Sequence, residues 1–183
     1  MVNRNSDAME WKRYFILSAL FVITLSVYAQ NTIEIFDDLT YQWDKEAEKL
    51  STYDGLLEFC QNDDYRYATI DILRGIHHYD SVLYKNLKVA QRRDRHNHDI
   101  NKTIKEIENF ERNYTTKNFI HFLHGDCDRS TELEKQSTAL RKDSGEGSYD
   151  NQVYVLEVEL GRYVHHVTKK VDQIRNLTHH LYD

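Results

Sequence analysis

The sequence predicts an all-α fold: an elongated up-down antiparallel bundle of about four long helices, behind an N-terminal signal peptide. Three observations carry this. Proline is absent from all 183 residues, where an average usage of ~5% would supply about nine. Proline removes a helix N–H and clashes with the preceding turn, so its absence leaves long helices uninterrupted. Only six glycines occur, and the turn chemistry that a sandwich or barrel needs every ~8–12 residues is missing. Apolar residues also recur at three- and four-residue steps along most of the chain after residue 30.

The leader comes first. Lys12 and Arg13 precede a weakly polar to apolar run from Tyr14 to Val27, and Val27-Tyr28-Ala29 stands ahead of Gln30. These are the n-region, h-region and cleavage site of a secretory signal peptide, with the cut expected between Ala29 and Gln30. The run falls short of the ~20 apolar residues of a permanent span. An uncleaved anchor is the alternative, in which case the membrane becomes a partner. Export places residues 30–183 in the periplasm or outside the cell, as one domain of ordinary size.

The first helix, roughly 33–52, carries Ile35, Leu39, Trp43, Ala47 and Leu50 on one stripe. A short element over 55–61 holds Leu56, Leu57 and Phe59. Asn62-Asp63-Asp64 then interrupts the pattern and supplies an aspartate cap for a long helix to about Gln91, striped by Tyr65, Ala68, Ile72, Ile76, Tyr79, Leu83 and Leu87. The next helix begins near Asn97 and shows Ile100, Ile104, Ile107, Phe110 and Tyr114. It continues or hinges at Thr115-Thr116 and carries Phe119, Ile120 and Leu123 into Gly125. Thr131 and Glu134 have capping-box spacing and predict a helix restarting there, to about Lys142. The stretch 143–148, with Gly145 and Gly147, reads as a loop. The last helix, about 149–182, repeats Val153, Leu160, Val167, Ile174 and Leu181 every seven residues. That heptad suits the core of a bundle and, alternatively, an intermolecular coiled coil. Gly75 and Gly161 fall inside helical patterns, where each costs about 1 kcal/mol relative to alanine, and predict close approach of another helix.

Two cysteines in an exported chain pose a disulfide question. If the second and third long helices form a hairpin turning near residue 95, residues whose numbers sum to about 190 lie level. Cys60 and Cys127 then share one end of the hairpin, as a bridge requires. The alternative is two unpaired thiols that pack as small apolar groups.

Ten histidines raise metal or haem chemistry. The candidate ligands are His77 with Asp80, His121 and His124 beside Cys127, and the pair His165-His166. A transition metal needs ligands converging from two or more helices. The hairpin register instead sets His77 level with about Asn113, roughly 12 Å along the axis from His121. Neither a Glu-x-x-His pair repeated on two helices nor a His-Glu-x-x-His motif occurs. Adjacent histidines therefore read as straddling the core boundary, one ring packed and one solvated. A transition metal or bis-His haem is the alternative.

A formal net charge of −6 argues against a nucleic-acid partner, and 40% hydrophobic content is too apolar for a disordered tail. There is no nucleophile elbow, phosphate-cradling loop or nucleotide fingerprint, so no catalytic residue is assigned. Tyr41, Tyr53, Tyr65, Tyr67, Tyr79 and Tyr84 crowd the first half; most read as bundle-edge residues, and together they offer amphipathic surface suited to a protein partner. The function expected is that of an exported, non-enzymatic interaction or structural module working through a protein partner or self-association. A metal- or haem-binding bundle is the rival.

Overall fold

The computed structural model describes residues 33–143 and 146–182, with side chains described outside 138–147. It divides into Met1–Ile35 and Phe36–Asp183, and the second unit builds the bundle. The leader and its Ala29–Gln30 junction lie outside the described residues. The helices are α1 (33–50), α2 (Tyr53–Gln61), α3 (Asp63–Arg93), α4 (His98–Asn113), α5 (Thr116–Asp143) and α6 (Glu146–Tyr182). No strand occurs among the described residues.

Side-chain caps start α2, α3 and α4, as Thr115 does α5. Thr52 accepts from Gly55 N at α2, and Asn62 accepts from Tyr65 N at α3. Asn97 accepts from Asp99 N and Ile100 N at α4. Each cap satisfies amide groups that the first turn leaves without helical partners. The cap of α3 is thus Asn62 rather than an aspartate. Asp63 and Asp64 occupy its first turn and Arg92 and Arg93 its last, so charge at both ends complements the helix dipole.

Pairings between elements fix an up-down order. α1 runs antiparallel to α3, with Leu39 against Gly75 and the Lys49 ammonium 3.8 Å from the Tyr65 ring centroid. α3 and α4 form an antiparallel hairpin that pairs Gln91 with Asn101, Tyr84 with Glu108 and His77 with Glu111. α4 and α5 together run antiparallel to α6: Lys170 donates to Glu106 at 3.1 Å, and Arg129 to Glu159 at 2.6 Å. α6 closes back on α1, where Trp43 Nε1 donates to Thr168 Oγ1 at 3.0 Å and Arg175 Nε to Asp37 at 2.8 Å.

Trp43, Leu50, Leu73, Ile76, Ile107, Phe110, Phe119 and Leu123 are fully buried at the centre. Leu160, Val164, Val167, Val171 and Ile174 of α6 join them, so this stretch of the heptad faces the bundle's own core. A second cluster gathers Tyr53, Leu133, Tyr149 and Leu156, with Leu57 and Val153 against it.

Three local expectations are corrected. α5 passes through Gly125 and Thr131 without interruption. A Cβ at Gly125 would meet nothing within 4 Å, so no packing demand ends the helix there. Glu134 does not cap a helix; its carboxylate accepts from the Tyr53 hydroxyl at 2.9 Å and from the Tyr149 hydroxyl. The loop expected over 143–148 is shorter, because α5 reaches Asp143 and α6 already begins at Glu146; residues 144–145 lie outside the described residues. Gly147 sits in the first turn of α6, where glycine disturbs fewer helical hydrogen bonds than in an interior.

Candidate functional site

The chain between α4 and α5 gathers polar and aromatic side chains from three helices. Tyr114 ends α4, its N–H reaching Phe110 O at 2.8 Å, and Thr115 Oγ1 accepts from Asn118 N at 3.1 Å to start α5. α3 sends His77 to this break. Its Nε2 lies 3.0 Å from Tyr114 O and its Nδ1 2.7 Å from Glu111 Oε1, while the ring stacks on Phe110 at 4.9 Å. A carbonyl only accepts, so Nε2 donates to Tyr114 O. One turn further along α3, Asp80 is fully buried, and neither carboxylate oxygen has a hydrogen-bond partner. Burial holds its carboxyl well above the usual carboxylate range, and the charge of Glu111 pushes the same way.

The same break opens onto the seam between α5 and α6. Tyr163 of α6 packs on Phe122, Phe119 and Tyr114, with ring centroids 3.9, 6.2 and 6.4 Å away. Burial pushes the Tyr163 phenol up to about 12, and Tyr114 beside it adds to the shift. Around these rings lies a groove of about 460 Å³ lined by Asn113, Tyr114, Phe122, Glu159, Arg162, Tyr163 and His166. His166 Nδ1 lies 2.6 Å from Arg162 O. The carbonyl can only accept, so in the neutral ring the Nδ1 carries the hydrogen and Nε2 keeps the lone pair.

A second groove of about 490 Å³ lies on the same seam, lined by Asp128, Arg129, Glu132, Leu133, Gln136, Gln152, Val155 and Leu156. The Arg129–Glu159 ion pair links the two, since Glu159 lines the first and Arg129 the second. Arg129 also reaches Asp126 at 3.2 Å. Burial raises the Asp126 carboxyl while the guanidinium opposes that shift. Alongside runs the outward face of α6, where Tyr154 is 63% exposed, Val155 41% and Val158 38%. Other exposed large apolar side chains, such as Tyr41, Tyr67 and Val89, stand apart from one another on α1 and α3.

The candidates from the sequence fare differently. Cys60 and Cys127 are joined by a disulfide with Cα atoms 5.5 Å apart. His77 is packed and His78 exposed, one ring on each side of the core boundary. His165 and His166 depart from that pattern: both are exposed, because Val164 and Val167 occupy the core positions flanking them. His121 and His124 are likewise both exposed on α5. Among the described residues, no group of three His, Cys, Asp or Glu side chains is placed to hold a metal ion. Gly75 does mark a close approach, by the Leu39 side chain of α1, whereas a Cβ at Gly161 would meet only Ser51 Cβ, at 4.0 Å. Of the six tyrosines expected at the surface, Tyr41 and Tyr67 are exposed, while Tyr53 belongs to the second core cluster.

Sequence reasoning missed the outward face of α6. The signal was present: Tyr154, Val155 and Val158 fall between the heptad positions, on the side of the helix turned from the core. No helix among the described residues is long and apolar enough to cross a membrane. No protein-family model, curated protein or solved structure matches the chain.

Proposed function

We propose that this protein is an exported helical module that acts by contact with another protein along the outward face of α6 and the adjoining α5–α6 seam. The observation that carries the reading is the cluster of Tyr154, Val155 and Val158 on a face that an amphipathic helix leaves to polar residues. Apolar surface gains about 25 cal/mol for each Å² withdrawn from water, so grouping it beside two grooves favours a covering partner. Charged and polar side chains, among them Arg129, Glu132, Gln152 and Arg162, rim the apolar centre, the arrangement usual in protein interfaces. Support for export comes from the signal-like leader together with the Cys60–Cys127 disulfide, a bond that persists in oxidising compartments.

A photo-crosslinking residue placed at Val158 in the full chain, expressed in its native setting, tests the reading. The probe should capture a protein, while the same probe at exposed Ser81 on α3 should not. Equal capture at both positions, or none at Val158, overturns it.

A further inference from the structure

Charge is distributed unevenly along the outward face of α6. On the N-terminal side of Val158 the exposed residues are Asp150, Asn151, Gln152, Tyr154 and Val155, with no cation from Ser148 to Glu157. On the C-terminal side, beyond Glu159, come Arg162, His165, His166 and Lys169, all exposed, with no carboxylate between Glu159 and Asp172. Of the two carboxylates flanking the midpoint, Glu159 is paired with Arg129 and Glu157 accepts from the Tyr53 N–H. At 3.6 residues per turn, Tyr154, Val158 and Arg162 follow one another up a single line of the helix. Among the described residues, the Arg162 guanidinium has neither a hydrogen bond nor an ion pair.

Such a face complements itself in one orientation. Two copies side by side in the same direction set acid against acid and base against base. Turned antiparallel about Val158, they set each Tyr154 level with the other copy's Arg162, and the half of the face that holds Asp150 beside the half that holds Arg162. A guanidinium over a tyrosine face is a favourable contact, and two-fold symmetry makes every such contact twice. We infer that the partner of this face is a second copy of the chain, with the two α6 helices packed antiparallel across a two-fold axis at Val158. This rests on the contact reading proposed above and narrows it to one occupant. The paired stretch, Asp150 to His166, is about four and a half turns. An interface of that length falls at the small end of specific protein contacts, so the dimer forms reversibly and its population rises with concentration.

The test combines sedimentation equilibrium with cysteine crosslinking on the full chain as exported, its native disulfide intact. Wild type should show a monomer–dimer equilibrium, and Val158→Glu should weaken the association at least tenfold. Val158 lies on the surface, so the thermal midpoint of that variant should stay at the wild-type value. With a short thiol-reactive linker, Val158→Cys should link to itself. Chains carrying Asn151→Cys should link to chains carrying His165→Cys, and neither should link to its own kind. Self-linking of both flanking variants would show a parallel pairing and overturn the inference, as would a monomer throughout the concentration range. In the monomer case, a photo-probe at Val158 that still captures a different protein leaves the contact reading standing; a probe that captures nothing removes both.

Discussion

Asp80 carries a carboxyl into the bundle core with no hydrogen bond to offset its desolvation. Its folded-state pKa is raised, so the folded protein keeps a proton that the unfolded chain releases near the ordinary value of about 3.9. Between those two values the native state binds more protons. The contribution to stability is therefore fully present below the unfolded value, and it is lost as pH rises toward the folded one. Asp80→Asn removes that titration. The variant should match wild type at about pH 4 and exceed it at about pH 8 by more than about 1 kcal/mol, read from urea unfolding at each pH. A difference that does not vary with pH would show that Asp80 is ionised in the folded state. Its burial was legible from the spacing: Asp80 falls four residues after Ile76 and three before Leu83, both buried. What spacing could not supply was the role, because beside His77 an acid reads as a metal ligand. His77 in fact spends its two ring nitrogens on Glu111 and the end of α4.

The helices themselves were readable because each buries a continuous stripe, but their ends answer to partners distant in sequence. The turn between α1 and α2 shows this most sharply. A Cβ added at Gly55 would stand 1.9 Å from the Lys49 carbonyl oxygen, a backbone atom with nowhere to move. Gly55→Ala should therefore cost about 2–3 kcal/mol in denaturant unfolding. Gly161→Ala, with only Ser51 at van der Waals distance, should gain about 0.5–1 kcal/mol from helix propensity. The opposite order would mean that the α1–α2 turn is not packed as described. Nothing local to Gly55 separates it from Gly125 or Gly161 in the sequence, since the constraint is the path of the preceding helix. The uninterrupted α5 has the same origin. Glu134 looks like a capping residue until Tyr53 and Tyr149, remote in the chain, bring their hydroxyls to it. The outward face of α6 was legible in principle, because the heptad fixes which side packs and so fixes which side is left over.

At the scale of the molecule, the antiparallel register of α3 on α4 determines where the two cysteines meet. Gln91–Asn101, Tyr84–Glu108 and His77–Glu111 keep one register along the hairpin, and extending it past both helix ends brings Cys60 of α2 level with Cys127 of α5. The bridge closes a separation of 67 residues, worth about 4 kcal/mol if chain entropy in the unfolded state dominates. Removing it in the Cys60→Ser, Cys127→Ser double variant should lower the thermal midpoint by roughly 10 °C. The loss should not spread evenly. α2 is held against α5 and α6 by the bridge, by Tyr53 N–H donating to Glu157 at 2.8 Å and by the cluster of Tyr53, Leu133, Tyr149 and Leu156. The centre around Trp43 and Phe119 has its own packing and the hydrogen bond to Thr168. Hydrogen exchange on the double variant should accordingly speed up in α2 and in α5 beyond Cys127, while amides around Trp43, Ile107 and Val167 slow or speed only with global stability. Uniform acceleration would show that the second cluster has no stability of its own and unfolds only with the whole bundle.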